Sequence, residues 1–422
     1  MTERIKSLIK HPVVAGSSVI FLGSFGANFI NYLFNLFMGR VLSVDDYGLL
    51  TSLNSLFILV GIFSVSFGSV VTKFSAKYYS SGDIPSAAVL VRHTGKFVLI
   101  FSSALTLILL MLTPQIAAFL HITNYVYIDL ILGALFFSLI LSIPAGFIQG
   151  RLQFLLLSFV TIIQPALKIV IALVLLFLGF SVLGPIIAIA LSTAIPAVGL
   201  YFYLLKKYSR SAHGYTKIDP TFKKEFIHYI YTYFLSGIGL SLLSNTDIIL
   251  VRHFFTAQTA GQYAALSLMG KVIFYFTAPV TIVFFPIIAY KKERRERLLG
   301  TVLLASGGVV GVSVLMSLFY FAFPQIVLSV FFPKPGYQVL TQYLGYYSLY
   351  ILIFAFASLL NSYFLSIGKT RVYIITLIGA VIQIGSILLF HSSIYEIIIG
   401  LFSSSFVMLL LFLIYYYLHG ED

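Results

Sequence analysis

Two lysines lie deep inside long apolar stretches of the sequence, where a charge is costly. Lys168 is near the middle of the stretch at about residues 156–178, and Lys271 belongs to the stretch at about 263–289. An unpaired charge at the centre of a membrane-spanning helix costs about 2.5–3.5 kcal/mol, and such residues usually serve function or have a partner. A desolvated ammonium group holds phosphate through charge-assisted hydrogen bonds. These two lysines therefore predict the binding of an anion.

A polar stripe accompanies Lys168. Thr161, Gln164 and Lys168 are three and four residues apart, so they share one face of a helix, and Pro165 lies within the stripe. Two interpretations are open from the sequence. The stripe lines a water-filled gap between helical lobes, or Lys168 pairs with a carbonyl or hydroxyl group at a packed interface.

The first apolar stretch carries a second stripe, formed by Ser24, Asn28, Asn31 and Asn35. Asparagines in such positions either line a cavity or bridge packed helices, and a bridge contributes about 0.6 kcal/mol. The sequence does not separate these two roles.

The second half of the chain has its own polar residues at depth. Tyr263, Ser267, Lys271 and Tyr275 recur every four residues, and Asp247 is an acidic residue well inside the stretch at about 228–251. The Asp247 carboxylate either pairs with a cation, Lys271 or Arg252, or takes part in ion coupling with H⁺ or Na⁺.

Cations outnumber anions among these residues, which favours an anionic cargo such as a phosphate or pyrophosphate compound. The candidate substrate-binding residues are Lys168, Lys271, Arg40, Arg252, Asn28, Asn31, Asn35 and Gln164, and the candidate ion-coupling residue is Asp247.

The sequence lacks the common enzymatic motifs HExxH, G-x-S-x-G, the P-loop and G-x-G-x-x-G. It has no cysteine, and its eight histidines show no metal-ligand spacing. We therefore expect no enzymatic activity, no metal and no cofactor. Asp45 and Asp46 could act as outer-loop carboxylates of a membrane glycosyltransferase. The simpler interpretation is a capping box, in which Ser43 caps a helix that has Asp46 at its third position.

Membrane-spanning helices must position these residues. The 422-residue chain is 60% hydrophobic and 9% charged, whereas soluble proteins average about 25% charged residues. Twelve apolar stretches are long enough to cross about 30 Å of hydrocarbon, and the first is too long for a signal peptide. They lie at about 16–38, 48–71, 97–119, 126–148, 156–178, 183–205, 228–251, 263–289, 299–322, 343–366, 372–391 and 394–418.

The distribution of positive charge sets the predicted orientation. Of the 26 Lys and Arg residues, 21 fall on alternate loops of one side, Arg40, Arg252 and Lys334 fall on the other, and Lys168 and Lys271 lie within spans. Cytoplasmic loops carry this excess, so both termini are predicted to be cytoplasmic. The clusters lie between apolar runs rather than on one soluble face, which argues against nucleic acid as a partner. We expect a multi-pass protein of the plasma or inner membrane.

The two halves of the chain repeat each other. Asn35 and Arg40 at the end of span one correspond to Asp247 and Arg252 at the end of span seven, about 212 residues later, and Pro-Gln-Ile after span three recurs after span nine. Six spans per half give both halves the same orientation, as in parallel transporter repeats. The sequence predicts two pseudo-symmetric six-helix lobes, residues 1–212 and 213–422. The alternative explanation of these matches is that helical membrane proteins in general have Gly, Pro and Arg at the ends of their spans.

The segment Gly39–Leu50, GRVLSVDDYGLL, resembles the G-R-x-L-(S/T)-x-x-(D/E)-(F/Y)-G signature of polysaccharide exporters, the O-antigen flippase type of the multidrug/oligosaccharidyl-lipid/polysaccharide (MOP) superfamily. Asp247–Leu250 followed by Gly261 and Tyr263 is similar to that family's span-seven pattern. The resemblance implies a twelve-helix flippase that moves polyprenyl-diphosphate-linked oligosaccharide from the cytoplasmic to the outer leaflet by alternating access. It also implies basic residues in a central cavity, which we match to Lys168 and Lys271.

Two other functions remain open. A cation-coupled multidrug exporter of the same superfamily would need an acidic cluster in one lobe, and the spans of the first half offer Asp129. A membrane glycosyltransferase would depend on Asp45 and Asp46. The expected partners are the lipid-linked oligosaccharide, the lipid bilayer and H⁺ or Na⁺ as coupling ion.

Overall fold

The structure, a computed structural model, describes residues 12–208 and 220–419. Within these ranges all regular elements are helical, as predicted for an all-α membrane protein. They are α1 (Pro12–Val41), α2 (Val44–Val60), α3 (Ile62–Ser80), α4 (Ile84–Met111), α5 (Thr113–Leu120), α6 (Val126–Gly150), α7 (Phe154–Phe177), α8 (Leu183–Tyr208), α9 (Pro220–Phe254), α10 (Ala257–Glu293), α11 (Leu299–Ala322), α12 (Pro324–Phe331), α13 (Thr341–Ser366), α14 (Tyr373–Leu389) and α15 (Ile394–His419), with 3₁₀ turns at Pro335–Leu340 and Thr370–Val372.

Ten helical stretches of the described residues are long and apolar enough to cross a membrane. One of them, Val44–Ser80, joins α2 and α3. The predicted first and eighth spans lie within α1 and α10, which are 30 and 37 residues long. The prediction of a polytopic helical membrane protein is confirmed. The cytoplasmic location of the termini stays a prediction.

Local hydrogen bonds explain the break between the last two spans. Helix α14 ends at Leu389 and α15 begins at Ile394. The Ser393 hydroxyl accepts from the Glu396 N–H at 3.3 Å, and the Glu396 carboxylate accepts from the Ser392 N–H at 2.7 Å. Side chains thereby satisfy N–H groups that a helix start leaves without partners. The predicted division into spans at about 372–391 and 394–418 agrees with these helix bounds.

The described residues form two compact units. Unit 1 contains the chain up to Asn35 and Leu56–Phe234, and unit 2 contains Leu36–Ser55 and the chain from Leu235. Helices α1, α2 and α9 therefore contribute residues to both units. The predicted lobe boundary at residues 212 and 213 lies outside the described residues, and it stays a prediction.

In unit 1, α6 is the central helix and packs along α3, α4 and α8. Gly146 and Gly150 of α6 lie directly against the backbone of α3, where an added Cβ atom would collide with carbonyl oxygens. Small residues are typical of such close helix contacts in membranes, because dispersion forces between the backbones replace the missing hydrophobic drive. Ser64 and Ser138 add a hydrogen bond of 3.0 Å between α3 and α6.

In unit 2, the corresponding central helix is α13, which packs along α10, α11 and α15. Gly270 of α10 leaves room for the ring of Tyr347 on α13. Tyr347 and Tyr363 are both almost completely buried. Large aromatic side chains against glycine therefore fill the interior of this unit.

Candidate functional site

Lys168 of unit 1 has two neutral neighbours, both on α1. Its ammonium group donates to the Oδ1 atom of Asn31 at 2.5 Å and lies 4.3 Å from the centroid of the Phe34 ring. Lys168 is half-buried, whereas Phe34 is almost fully buried. An amide oxygen and an aromatic face stabilise a cation but do not neutralise it. The arrangement keeps a positive charge inside a membrane-spanning helix.

The other members of the Lys168 stripe connect elsewhere. The Gln164 amide donates to the Thr193 hydroxyl of α8 at 3.4 Å, and the Thr161 hydroxyl donates to the Leu157 carbonyl of its own helix. Helix α7 is therefore bridged to α1 by Lys168 and to α8 by Gln164. The polar stripe serves helix packing at both contacts, and Lys168 adds charge to one of them.

The asparagines of α1 differ in their environments. Asn31 accepts from Lys168, and Asn35 donates from its side chain to the Asn31 carbonyl at 2.8 Å. Asn28 is exposed. The bridging interpretation thus describes Asn31, whereas Asn28 keeps its amide available to solvent or a ligand.

In unit 2 the polar centre is built around Asp247 of α9, which is 2% exposed. Its Oδ2 atom accepts from the Tyr263 hydroxyl of α10 at 2.7 Å. Lys271, two turns further along α10, lies within electrostatic range of the carboxylate. Of the two cation partners that the sequence offered for Asp247, Lys271 is the one whose charge acts on the carboxylate.

A tyrosine network that sequence reasoning missed surrounds this centre. Tyr347 of α13 hydrogen-bonds to Ser267 and packs edge-on against Tyr263, with ring centroids 6.1 Å apart. The ring centroid of Tyr350 lies 5.3 Å from that of Tyr347. The spacing of three residues between Tyr347 and Tyr350 places both on one helix face, and that is the signal that could have found them.

The remaining Asp247 oxygen, Oδ1, has no hydrogen-bond partner among the described residues. A buried carboxylate oxygen without a donor is costly. It can be satisfied by a proton, by a cation or by movement of Lys271. This atom is the feature of unit 2 that fits the predicted ion-coupling role, which stays a prediction.

Arg40 and Arg252 lie near helix ends of unit 2. The Arg40 guanidinium is exposed and donates to the Phe331 carbonyl at 3.0 Å and to the Val330 carbonyl. Arg252 is 5% exposed and lies in the electrostatic field of Asp45 and Asp46. Both arginines therefore interact with other groups of the protein itself. The predicted role of the two arginines in substrate binding stays a prediction.

The Ser43 cap of the predicted capping box is observed, because the Asp46 N–H donates to the Ser43 hydroxyl at 3.1 Å and α2 begins at Val44. Asp129 is exposed and accepts from the Thr113 hydroxyl at 3.0 Å. The described residues contain no group of three His, Asp or Glu side chains that could hold a metal ion.

Known structures share this helical membrane fold. A multidrug-resistance MATE transporter of the MOP superfamily, in an inward-facing conformation, is similar with a TM-score of 0.73 and 16% identity, covering 92% of this chain and 94% of that one. The lipid II flippase MurJ, in an inward closed conformation, is similar with a TM-score of 0.73 and 11% identity, covering 94% and 86%. The fold is that of MOP-superfamily transporters.

The chain belongs to the polysaccharide biosynthesis protein family, whose model matches residues 13–292. An uncharacterized membrane protein of Methanocaldococcus jannaschii is 23% identical over 381 residues, covering 84% of this chain and 85% of that protein. The resemblance predicted from the Gly39–Leu50 signature is therefore confirmed, as is the location in a membrane.

Proposed function

We propose that this protein moves polyprenyl-diphosphate-linked oligosaccharide from the cytoplasmic to the outer leaflet of the plasma membrane by alternating access. The observation that carries the proposal is a lysine within a long helix of each unit, Lys168 in the membrane-spanning α7 and Lys271 in α10, which contains the predicted eighth span. Membership of the polysaccharide biosynthesis family supports a glycan precursor as substrate. The diphosphate supplies the anion that both lysines require, and the lipid tail stays in the bilayer.

Lys168 acts as a diphosphate ligand because its partners leave it charged. Asn31 orients the ammonium group through one hydrogen bond of 2.5 Å. The other N–H groups can donate to phosphate oxygens, and such charge-assisted bonds are about twice as strong as neutral ones. An exposed amide such as Asn28 is suited to hydrogen-bond a sugar hydroxyl. In this proposal the anion offsets the cost of a buried cation.

Lys271 is a weaker anion ligand because Asp247 competes with the substrate for its charge. The Tyr263 hydrogen bond at 2.7 Å stabilises the anionic form of that carboxylate. Binding of H⁺ or Na⁺ at Asp247 would remove the competition and free Lys271. A cation gradient can in this way drive substrate binding or release at unit 2, which is how we propose that Asp247 takes part in ion coupling.

The test uses a host that lacks its own flippase and depends on this protein for surface glycan. Lys168→Ala and Lys271→Ala should each abolish surface glycan while membrane levels of the protein stay normal. Glycan is measured by lectin labelling of intact cells, and protein by quantitative immunoblot.

Two further variants serve as controls for this test. Lys168→Arg keeps the charge and should retain measurable export, and Lys96→Ala removes an exposed lysine of α4 outside the proposed site. Wild-type export by both alanine variants at Lys168 and Lys271 would refute the proposed lysine sites. Accumulation of lipid-linked oligosaccharide inside spheroplasts would show that the lost step is translocation rather than synthesis.

A cation-coupled multidrug exporter is the second candidate, favoured by the buried carboxylate of Asp247 and by the MATE-like fold. Resistance to cationic dyes in an efflux-deficient host, lost in Asp247→Asn, would support it. A membrane glycosyltransferase would instead require loss of sugar transfer in Asp45→Ala with normal folding.

A further inference from the structure

A groove along α6 of unit 1 is not part of the proposed substrate sites. Helices α4 and α8 both pack along α6, but they do not pack closely along each other. The gap between them leaves a groove of about 200 Å³, and its lining side chains are apolar apart from the Tyr201 hydroxyl. We name this feature the α6 groove. Every residue described below belongs to unit 1.

The α6 groove has a buried floor and an open side. Its floor contains Val98, Ile143 and Ala197, which are at most 1% exposed, whereas Leu99 and Phe202 on its rim are 44% and 65% exposed. Further exposed apolar side chains of α4 and α8 are Ile100, Leu107, Ile195 and Val198. An exposed apolar surface of this kind on membrane-spanning helices faces hydrocarbon, because contact with water would be costly. The groove therefore opens toward lipid.

The shape of the α6 groove suits a hydrocarbon chain. Phe136, Ile140 and Ile143 line it from α6 at intervals of four and three residues, so it follows the helix axis for about 10 Å. Lipid chains lie in the same direction as membrane-spanning helices. An apolar cavity of about 150 Å³ in a protein core already binds benzene. The α6 groove can accordingly hold a segment of a lipid chain that is somewhat larger than benzene.

One end of the groove is marked by a contact between its two walls. A Cβ atom added to Gly95 of α4 would lie 3.2 Å from the Tyr201 hydroxyl oxygen of α8. Arg92 is three residues before Gly95, and Lys206 is four residues after Phe202, so each continues the groove face of its helix by one turn. Spans three and six cross the membrane in opposite directions. Both cations therefore lie beyond the same end of the groove.

These two cations are available to a ligand. Arg92 and Lys206 are exposed, and within the part of the chain that the structure describes neither makes a hydrogen bond or an ion pair. Each lies where an apolar stretch of the sequence begins or ends, which is the level of the lipid head groups. The charge pattern predicts that this side is cytoplasmic.

We propose that the α6 groove binds an anionic phospholipid, with one acyl chain along α6 and the phosphate held by Arg92 and Lys206. Basic side chains between membrane-spanning helices bind anionic head groups on the cytoplasmic side. The Tyr201 hydroxyl at the same end can donate to a phosphate or ester oxygen. The acyl chain supplies the dispersion contacts that α4 and α8 do not make with each other. This site does not depend on the proposed transport substrate.

The test measures lipid binding to the delipidated, detergent-purified protein by native mass spectrometry. Dioleoylphosphatidylglycerol and dioleoylphosphatidylcholine have the same acyl chains, and only the first has a net negative head group. One molecule of the anionic lipid should bind about tenfold more tightly than the neutral one, since each basic residue near the head group contributes about 1 kcal/mol. Equal affinities would overturn the proposal. Glycerol phosphate should not bind, and its binding would show a site for free phosphate instead.

Two variants separate the head-group contacts from the groove. Arg92→Gln/Lys206→Gln should abolish the preference for the anionic lipid, whereas the control Lys77→Gln/Lys224→Gln removes two other exposed lysines of unit 1 and should keep it. An unchanged preference in the first variant would refute the role of its two cations.

Val198→Phe fills the groove from its rim and should weaken binding of both lipids more than tenfold. The matched control is Val174→Phe on α7, where Val174 is 54% exposed and Val198 is 43% exposed. Equal binding by the two phenylalanine variants would mean that the lipid lies elsewhere.

A photoreactive lipid locates the acyl chain independently of affinity. Phosphatidylglycerol with a diazirine in the middle of one chain should label peptides of α4, α6 and α8 in the wild-type protein, and the label should disappear in Val198→Phe. Labelling spread evenly over all lipid-facing helices would reduce the groove to ordinary contact with bulk lipid.

The same labelling identifies a different occupant. Displacement of the photoreactive lipid by an equal concentration of polyprenyl phosphate would assign the groove to the tail of the proposed substrate and overturn the phospholipid site. A dimer that forms on delipidation and is prevented by Val198→Phe would assign it to a second copy of the chain.

Discussion

The two units bridge corresponding helices with different side chains. In unit 1, Lys168 of α7 donates to Asn31 of α1 at 2.5 Å. In unit 2, Gln383 of α14 donates to the Leu243 carbonyl of α9 at 3.1 Å. Helices α14 and α9 are the counterparts of α7 and α1 in the predicted repeat, and Leu243 follows Asn31 by the same offset of about 212 residues.

The difference indicates that packing alone does not require a lysine. A hydrogen bond between membrane helices contributes about 0.6 kcal/mol, whereas a charge at the centre of a span costs about 2.5–3.5 kcal/mol. Gln383, which is fully buried, makes the bridge without the charge. A lysine in the same place is a net loss unless the Phe34 ring and a further ligand together offset its cost. This inequality is the physical argument for an anionic cargo.

The largest expected effect comes from giving unit 1 the neutral bridge of unit 2. Lys168→Gln keeps a donor for Asn31 and removes the charge. The protein should fold and reach the membrane, while glycan export falls about 100-fold or more, equivalent to about 2.7 kcal/mol. Lectin labelling of intact cells measures export. Export within a factor of three of wild type would show that Lys168 contributes to helix packing and not to transport.

The reverse exchange should damage folding rather than transport chemistry. Gln383→Lys places an ammonium group where the neutral amide is completely buried. The expected loss of stability is about 2.5–3.5 kcal/mol, the cost of a central charge. Thermal unfolding of the detergent-purified protein measures it. A melting temperature equal to that of wild type would show that α14 tolerates a cation as α7 does, and the contrast between the units would disappear.

A smaller effect is expected when the second lysine centre is made to resemble the first. Asp247→Asn removes the carboxylate near Lys271 and leaves a neutral amide, as Asn31 does for Lys168. Binding of inorganic pyrophosphate to the purified protein should become about tenfold tighter, or about 1.4 kcal/mol, and lose its dependence on H⁺ or Na⁺. Weaker binding would contradict competition between Asp247 and the anion. Tyr263→Phe, which removes only the hydrogen bond to the carboxylate, is the matched control.

The smallest effect concerns one helix cap from each unit. Hydrogen bonds from the Ser86 hydroxyl and N–H lower the pKa of Asp83, the cap of α4 in unit 1. Because the folded-state pKa lies below the unfolded one, the Asp83 contribution is present above the ordinary carboxyl pKa and disappears as the pH falls through the lowered value. The Ser43 hydroxyl, which caps α2 in unit 2, does not titrate in this acid pH range.

Ser43→Ala should therefore cost about 1 kcal/mol at both pH 7 and acid pH, whereas the effect of Asp83→Ala should be present only at pH 7. Melting temperatures of the two variants at both values check the difference. An effect of Asp83→Ala that persists in strong acid would contradict the charged cap.

Most of the fold was predictable because, in a bilayer, backbone hydrogen bonds join residues of the same helix. A chain in hydrocarbon must satisfy its N–H and C=O groups within each helix, so the length of an apolar run nearly defines a span. The turn near Ser392 and the cap at Ser43 were predictable for a similar reason, since their hydrogen bonds join residues three or four positions apart.

The candidate site was predictable only in part. Lys168, Lys271 and Asp247 stand out because charge inside a span is rare, but their partners do not. Asn31 is 137 positions from Lys168, and Tyr347 is 80 residues beyond Ser267, so neither pairing has a periodic signal. The spacing of Tyr347 and Tyr350 indicates one shared helix face, but it does not indicate which residues that face contacts.

The sequence by itself determined a polytopic helical membrane protein, its family signature and the presence of cations within apolar stretches, because each depends on composition or on neighbours a few residues apart. The tertiary structure decided that Lys168 meets a neutral amide and Lys271 a carboxylate, and that the Gly39–Gly48 signature belongs to the unit containing residues 330–337. Helices that are individually stable in a membrane can pack in many ways. Only the packed arrangement determines which distant side chains share a charge.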